Sequence, residues 1–441
     1  MTQLVLNAFL MSNGHHEAAW RLPESDPGAN RDVAHFQHLA RIAERGRLDS
    51  VFFADSPSIM SHVARRPAEA LEPALLLAAM AVATERIGLI ATSSTTYEEP
   101  YNLARTFASL DVLSHGRAGW NAVTSADLKA GANFGFDEAP THAARYARAQ
   151  EFLEVVLGLW NGWQDDAVVA DKASGVFTRP DGVRPLDHRG EHFSVRGPLN
   201  VGRSEQGHPV VVQAGSSGPG IALAARYADA VFTATPTLEE GRTFYADLKA
   251  AVRKAGRNPD HVKVLPGLVP ILGGTEAEAR DLERRLDELV VLDHPLAQLA
   301  QDTGIPVDQL DLDAPLPEDV NPPSAIEGNK ARYELTVAMA RREGLTVREL
   351  LLRLGSGRGH RAFVGTPEQV ADTIEEWATN RAADGFNVMP AVLPSGLEAF
   401  VDHVVPLLQR RGLFREDYSG STLRDHYGLP VPGRHVLAEV S

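Results

Sequence analysis

The sequence predicts an α/β fold, a closed (β/α)8 TIM barrel that carries two long insertions. Eight short apolar runs alternate with segments whose apolar residues recur at helical spacing. Such alternation with continuously apolar strands is typical of a parallel sheet covered by helices. After the first run the chain reads MSNGHHEAAWR, which lacks the glycine fingerprint that an open dinucleotide-binding sheet often carries. A closed barrel is therefore favoured over an open sheet.

The strands are predicted where Val, Ile, Leu, Phe and Ala cluster in short runs, because such runs favour strands buried on both faces. In chain order these runs are 4–10, 50–54, 87–91, 117–123, 209–214, 230–234, 262–272 and 385–390.

Helices are predicted between the strands, where apolar residues return every three or four positions. Six such segments separate the strands and a seventh follows the last one. They cover 33–47, 74–84, 101–113, 143–159, 220–227, 238–255 and 397–409.

Two long stretches interrupt the alternation, at about 161–208 and 273–363. We interpret both as insertions within one domain that spans 1–441. A long insertion with structure of its own is often a lid or an interface. We expect the second one, which follows strand seven, to cover the mouth of the barrel.

The composition excludes several classes of function. The formal net charge of −15 over 441 residues argues against a nucleic-acid or anionic-membrane partner, since both require basic surface. Cysteine is absent, which removes disulfides, thiolate metal sites and thiol nucleophiles. The N-terminus resembles no signal peptide, and no apolar run approaches the ~20 residues that span a bilayer. A cytoplasmic protein is expected.

In a barrel, ligands bind at the C-terminal ends of the strands, and here those ends are polar and mostly uncharged. No set of His or Lys ligands follows strands four to six, so a metal site is not expected. Uncharged donors and acceptors suit a neutral heteroaromatic ring instead. The polar ends are Asn13 to His16, Asp55, Thr92 to Ser94, Asn121, Thr124, Ser125, Gln213 and Gly215 to Ser217.

An anion site is indicated by QAGSSGPGIALAARYAD, where Ser216 and Ser217 stand at a helix start whose free N–H groups favour negative charge. Two alternatives stay open on this motif. The serines could serve only as a helix cap, and the usual phosphate site of such barrels lies after strands seven and eight.

Eight stretches, taken in order, carry a resemblance to a known family. They are GHHEAAWR, SVFFAD, ATSSTTYEEPYNLARTFASLDVLSHGRAGWNAVTS, THAARY, QAGSSGPG, FVGTPEQVADTIEEW, AADGFNVMP and VVPLLQRRGLFREDYSGSTLRDHYGL. Across almost its whole length the chain resembles the bacterial-luciferase-like flavin monooxygenases, in the branch of the nitrilotriacetate, EDTA and dibenzothiophene-sulfone monooxygenases.

The resemblance implies a two-component monooxygenase. Such an enzyme binds reduced FMN supplied by a separate NAD(P)H-dependent flavin reductase and inserts one oxygen atom from O2 into a small organic substrate at N, S or C. A homodimer or homotetramer is expected. The alternatives are a deazaflavin-dependent oxidoreductase of the same superfamily and a non-catalytic flavin-binding or metal-hydrolase barrel.

The resemblance also assigns residues. Asp55 and the run from Thr92 to Ser94 match positions that hold the flavin ring, and Asn121 matches the asparagine of strand four. The phosphate and ribityl contacts fall on His142, Tyr146, Ser216 and Ser217. From the residues alone, His142 and Tyr146 share a helix face because they are four apart, but they could be a surface pair. Asp55 could instead be the N-cap of the next helix.

His15 and His16 are the catalytic candidates, because histidine is the side chain whose ordinary pKa lies nearest neutrality. In the resembled family a histidine after the loop glycine points to the flavin, which favours His15. His16 remains the alternative, and either residue could be a solvated loop histidine.

Overall fold

Eight parallel strands close into a barrel at the centre of the computed structural model. The structure describes residues 3–59, 63, 67, 70–138, 140–317, 330–357 and 359–433. Every strand predicted from the sequence is present. The bounds are β1 Val5–Phe9, β2 Ser50–Phe53, β3 Gly88–Ser94, β4 Ala118–Val123, β5 Val210–Ala214, β6 Ala230–Thr233, β7 Lys263–Leu272 and β8 Gly385–Val388.

The ring of strands is complete, with each strand paired to the next and β8 paired back to β1 through Val5 and Gly385. The predicted (β/α)8 TIM barrel is therefore confirmed. β3 runs three residues beyond its predicted end because its pairing with β4 continues to Ser94 and Val123. A further strand, Arg361–Gly365, pairs with the end of β7.

The predicted helices cover the outside of the barrel close to their expected positions, and further helices belong to the loops, the second insertion and the C-terminal segment. Their bounds are α1 Val33–Arg45, α2 Pro73–Ala81, α3 Pro100–Leu113, α4 Leu128–Ala132, α5 His142–Trp160, α6 Gly218–Tyr227, α7 Leu238–Lys254, α8 Glu276–Glu288, α9 Asp293–Thr303, α10 Lys330–Glu343, α11 Val347–Gly357, α12 Pro367–Thr379, α13 Ser395–Ala399, α14 Val405–Arg410 and α15 Leu423–Tyr427. In the ranges given above, no helix has both the length and the apolar character that crossing a membrane requires.

The segment 397–409 differs from the single helix that its periodicity predicts. A π-helical turn, Phe400–Val404, separates α13 from α14. Pro406 lies in the first turn of α14 and has no N–H to donate, so a regular hydrogen bond to the preceding turn is lost there. The wider turn is a local adjustment to that loss.

The first insertion lies far from the mouth, because it connects the end of α5 to the beginning of β5. It forms two small hairpins, one of which is anchored by Glu151 on α5. The Glu151 carboxylate accepts hydrogen bonds from the backbone N–H groups of His192 and Phe193, each at 2.9 Å.

The second insertion contains α8 to α11 and lies over the C-terminal ends of the strands, as predicted. Its backbone accepts a hydrogen bond at Gly355 from Glu17 in the loop after β1, at 3.0 Å. Arg361, at its end, donates to the carbonyl of Pro236 after β6, at 3.2 Å. The insertion thus contacts loops on two sides of the mouth.

The C-terminal segment closes the opposite end of the barrel. Leu423 reaches so far inside that a Cβ added at Gly88 would lie 2.4 Å from its Cδ1. The Tyr427 hydroxyl donates to Asn7 of β1 at 3.0 Å. Arg415 and Arg424 form buried ion pairs with Asp49 and Asp229, at 2.6 and 3.0 Å.

Two histidines at this closed end are held neutral. Burial, followed by the nearby charge of Arg424, lowers the pKa of His208 from 6.5 to about 3. Burial also lowers the pKa of His426 to about 4. A histidine whose pKa is lower in the folded chain stabilises the fold fully above 6.5 and loses that contribution as the pH falls.

We therefore predict that acid destabilises the wild-type chain more than a His208→Gln variant. When the pH falls from 7 to 5, the wild type should lose about 2 kcal/mol more unfolding free energy than the variant, since each pKa unit corresponds to about 1.4 kcal/mol. Urea unfolding at both values measures it, with His115→Gln as a control because the His115 side chain is 82% exposed. Equal pH dependence for all three proteins would contradict the prediction.

Candidate active site

Two polar side chains on neighbouring strands meet inside the mouth. The Asn121 amide nitrogen on β4 donates to the Thr92 hydroxyl on β3 at 2.8 Å, and each residue is 3% exposed. The amide oxygen of Asn121 has no hydrogen-bond partner within the described part of the chain. A buried oxygen of this kind calls for a donor, because leaving it unpaired costs about 1–3 kcal/mol. A ligand N–H would supply that donor.

Ser94 occupies the end of β3 and shapes the turn that follows. Its hydroxyl oxygen accepts hydrogen bonds from the backbone N–H groups of Thr96 and Tyr97, at 3.1 and 3.3 Å. The hydroxyl hydrogen is left to donate to another group.

Asp55 follows β2 and is half-buried. Burial raises its pKa, and the negative charge of Glu72 raises it further. The N-cap of the next helix, α2, is Glu72 and not Asp55, since the Glu72 carboxylate accepts from the backbone N–H of Leu75. The alternative that Asp55 merely caps that helix is therefore wrong, and its carboxyl group remains at the rim.

The beginnings of α5 and α6 face one another beside β5. The hydroxyl groups of Tyr146 and Ser217 lie 3.4 Å apart, and the rings of His142 and Tyr146 have centroids 4.7 Å apart. Ser217 is the N-cap of α6, while Ser216 precedes it and is exposed. No acidic residue lies in the first turn of α6. Pro219 has no N–H and the Gly220 N–H donates to the Ser217 hydroxyl, so the Gly218 N–H and the helix dipole are what favour an anion there.

Two glycines let neighbouring side chains approach this helix start closely. A Cβ at Gly215 would lie 2.6 Å from the Gln213 side-chain nitrogen, and one at Gly220 would lie 3.1 Å from the Tyr146 hydroxyl. Gln213 is 2% exposed, and neither atom of its amide has a hydrogen-bond partner among the described residues. The sequence marked Gln213 only as a polar strand end; its orientation beside Gly215 becomes visible in the structure.

The two candidate histidines face different surroundings. His15 donates from Nε2 to the carbonyl of Phe9 at 2.9 Å and sets its ring edge against the Phe9 ring. The Nδ1 of His16 accepts from the backbone N–H of Ala18 at 3.2 Å, so its Nε2 carries the hydrogen that faces Asp287 of α8, 3.4 Å away. His15 therefore lies against the barrel interior, whereas His16 links the loop after β1 to the second insertion.

A cluster of phenylalanine side chains fills the barrel interior below the loops at the mouth. Phe9, Phe52 and Phe232 contact one another edge to face, with centroids 4.7 to 5.7 Å apart. His360 stacks on Phe232 with centroids 5.0 Å apart and an interplanar angle of 5°. Sequence reasoning missed His360, because a histidine at the end of a long insertion has no pattern that distinguishes it from a loop residue.

The described residues contain no cluster of three or more His, Asp or Glu side chains arranged to hold a metal ion. The mouth instead combines uncharged hydrogen-bonding groups, an aromatic wall and a helix start open to an anion. A TIM barrel with such a mouth has features expected of a site for an organic cofactor with an anionic group.

The particular family follows from comparison with known proteins. Residues 14–384 match the family model described as luciferase-like monooxygenase. The chain belongs to this family and is a flavin-dependent monooxygenase.

Three similar proteins illustrate the relationship. The chain is 47% identical to nitrilotriacetate monooxygenase component A of Aminobacter aminovorans, with 98% of each chain covered. It is also 47% identical to N-acetyl-S-(2-succino)cysteine monooxygenase of Bacillus subtilis (strain 168), covering 98% of this chain and 97% of that protein. The solved EDTA monooxygenase of Chelativorans sp. BNC1 superimposes with a TM-score of 0.83 at 38% identity, covering 97% of this chain and 98% of that one.

The mouth fits a flavin nucleotide. The unpaired oxygen of Asn121 can accept from a ring N–H, and the glycine-lined start of α6 can receive a phosphate beside Tyr146 and Ser217. The unpaired amide of Gln213 adds a buried donor and acceptor next to that start. These three features are independent of the comparisons and agree with the family.

Proposed function

We propose that the chain is the oxygenase component of a two-component system. It takes reduced FMN from a separate NAD(P)H-dependent flavin reductase and inserts one oxygen atom from O2 into a small organic substrate at N, S or C. The observation that carries the proposal is the anion-binding start of α6 next to the unpaired amides of Asn121 and Gln213. A flavin with a phosphate end requires both features within one site.

Two sets of residues in the chain bind different parts of the flavin. Thr92, Ser94, Asn121 and Asp55 hold the ring, while His142, Tyr146, Ser216 and Ser217 hold the phosphate and ribityl groups. Burial raises the pKa of Asp55, and its carboxylate oxygens can accept a hydrogen bond from a ring N–H. When bound, reduced FMN supplies the electrons that activate dioxygen.

His15 is the residue that we assign to proton handling. Its Nε2 hydrogen is committed to the Phe9 carbonyl, so Nδ1 is the acceptor nitrogen of the neutral ring. His16 is assigned to position the loop through Asp287. The second insertion excludes water from the mouth, which protects reactive flavin species.

A deazaflavin-dependent oxidoreductase is the alternative, with weaker support because the relatives at 47% identity are named monooxygenases. Titration of the chain with reduced FMN and with a reduced deazaflavin under anaerobic conditions separates the two functions. Tighter binding of the deazaflavin, or failure to bind reduced FMN, would contradict our proposal.

We further propose that the protein is cytoplasmic and that it forms a homo-oligomer. α2 reads PALLLAAMA and is apolar all round, which is typical of a buried helix. Yet Leu75, on one side of α2, is 74% exposed. Val82, just past the end of the helix, is 83% exposed. Another copy of the chain could cover this face. Light scattering would measure the mass of the particle in solution, and a monomer at micromolar concentration would contradict the proposal.

We predict that Ser217→Ala combined with Tyr146→Phe weakens FMN binding by about 1–3 kcal/mol, because two phosphate donors are lost. Fluorescence titration measures the affinity. Ser217 also caps α6, so Tyr146→Phe alone tests the site with the cap intact. Ser109→Ala on α3 is the control, since the Ser109 hydroxyl donates only to a carbonyl of its own helix. An unchanged affinity in the double variant would place the phosphate elsewhere.

A further inference from the structure

We propose that the first hairpin of the first insertion, residues 168–178, is an arm that docks on a second copy of the chain. Its target is an apolar face formed by α2 and α3, and the two copies exchange arms reciprocally. The inference rests on the homo-oligomer proposed above and names the two surfaces that form its interface.

The arm exposes apolar side chains on both of its faces. Its strands, Val168–Asp171 and Val176–Thr178, pair only with one another within the described part of the chain. Because side chains alternate along a strand, the neighbours Val176 and Phe177 lie on opposite faces. Four large apolar residues of the arm are between 42% and 66% exposed, namely Val168, Val169, Val176 and Phe177.

The backbone of the arm is fixed at its base and at its turn. At the base, the Arg179 N–H donates to the carbonyl of Ala167 at 2.9 Å. At the turn, the Gly175 N–H donates to the carbonyl of Asp171 at 2.9 Å. Among the described residues, none of the four apolar side chains joins a buried hydrophobic cluster. Because a two-stranded hairpin alone is only marginally stable in water, an arm of this composition requires a partner that covers it.

The target is a second apolar surface, which we call the α2–α3 face. Its members, Leu75, Val82, Val112 and Leu113, are between 45% and 83% exposed. Leu75 and Val82 are two helical turns apart, so they lie on one side of α2. Arg117, just after α3, donates from Nη2 to the carbonyl of Ala81 at the end of α2, at 2.9 Å. The ends of both helices therefore belong to one patch.

The arm and the α2–α3 face occupy the same end of the barrel. Helices of a (β/α)8 barrel run antiparallel to the strands, so α2, α3 and α5 all end at the closed end. α5 packs beside α3, where the Trp160 Nε1 donates to the carbonyl of Ala104 at 2.9 Å, and the arm follows the end of α5. Within one chain the arm leaves the face exposed. A two-fold axis between two copies brings each arm to the other's face, and such a contact closes without leaving a free end.

The size of the two surfaces fits a stable pair of copies. A fully exposed large apolar residue presents roughly 150–200 Å², so the arm and the face together expose about 800 Å² per copy. Each partner of a standard stable interface buries ~800 Å². A transient contact with a reductase requires less area, and a reductase would have to match both surfaces. The chain itself supplies both, so the occupant is a second copy.

Sedimentation equilibrium of the full chain measures the Kd of the pair. Phe177→Ser removes the aromatic side chain of the arm, and Val82→Ser removes the most exposed side chain of the face. We expect each to raise the Kd roughly ten- to a hundredfold, because every contact occurs twice in a reciprocal pair. Both side chains are exposed within one chain, so thermal unfolding of the separated copies should stay close to that of the wild type. Val307→Ser, at a residue 48% exposed on the second insertion, is the control and should keep the wild-type Kd.

Mixing the two variants tests the exchange of arms directly. A mixed pair contains one intact arm on one intact face, whereas each variant paired with itself contains no intact contact. The mixture should therefore form pairs more tightly than either variant alone, and native mass spectrometry with one variant labelled by heavy nitrogen identifies the mixed pair. If arms paired with arms instead, the mixture would bind more weakly than Val82→Ser alone.

Four results would overturn the inference. A monomeric wild type at micromolar concentration would remove the second copy as the partner. An unchanged Kd in Phe177→Ser would place the arm outside the interface. A mixture that pairs no more tightly than the single variants would exclude the exchange. A complex with a flavin reductase that Phe177→Ser abolishes would assign the arm to that protein. FMN affinity of the wild type and of each variant tests the oxygenase assignment separately, because neither surface contains a flavin-site residue.

Discussion

We expect the Arg424→Met variant to lose about 3–5 kcal/mol of unfolding free energy, because it removes the nearer of the two arginines that pair with the buried Asp229 carboxylate. Arg424 donates from Nη2 to the Asp229 carboxylate at 3.0 Å, and the two side chains are 3% and 13% exposed. Burial alone would raise the pKa of Asp229, but the charge of Arg424, assisted by Arg257, outweighs burial and lowers it. Asp229 is therefore ionised at neutral pH and depends on this arginine.

Because of where Arg424 lies, its replacement should destabilise the whole barrel and not only its own helix. It lies in α15, which closes the barrel end beside Leu423, and its Nε also donates to the carbonyl of His208 at 3.3 Å. Asp229 in turn accepts from the backbone N–H of Val211 in β5 at 3.0 Å. The ion pair thus fastens the C-terminal segment to the barrel wall.

Urea unfolding followed by tryptophan fluorescence measures the effect. The matched control is Arg284→Met, which removes an arginine paired with Glu288 at 2.7 Å on the exposed face of α8. Surface ion pairs contribute little, so the control should unfold almost as the wild type does. A similar small change in both variants would mean that the C-terminal segment is not coupled to the barrel.

The sequence predicted the barrel well because buried parallel strands leave a strong local signal. A run such as PVVVQA needs apolar residues on both faces, and its position between two helical segments then limits the topology. The closure at the other end could not be predicted in the same way. Arg424 and Asp229 are separated by 195 residues, and no local pattern indicates which buried charges will pair.

The candidate site was likewise predictable from the sequence only in part. Polar strand ends placed Thr92 and Asn121 at the mouth, and the structure brings them within 2.8 Å. The resemblance, more than any spacing, brought Tyr146 and Ser217 into one site. Gln213 was marked only as one of the polar strand ends, and neither source pointed to His360. Their positions depend on packing against Gly215 and Gly267, two glycines whose role emerges only when the surrounding atoms are known.

We expect the purified chain, given NADH, FMN and oxygen, to oxidise no NADH above the uncatalysed rate. A monooxygenase needs two electrons for each turnover, and the chain has neither G-x-G-x-x-G nor any other recognisable site for a nicotinamide dinucleotide. The electrons should therefore arrive in free reduced FMN that another protein has made. Adding an unrelated flavin reductase should restore oxygenation of a suitable substrate.

A chemical source of reduced FMN sharpens this prediction by removing the second protein. Mixing the chain and substrate with photoreduced FMN, then admitting oxygen, should give oxygenated product in a single turnover, detected by mass spectrometry. Because reduced flavin diffuses, no specific contact with a reductase is required, and reductases of different folds should serve equally. If the chain alone oxidised NADH at a catalytic rate, it would contain a nicotinamide site, and the two-component assignment would be wrong. If only one reductase worked while photoreduced FMN failed, transfer would require a complex between the two proteins.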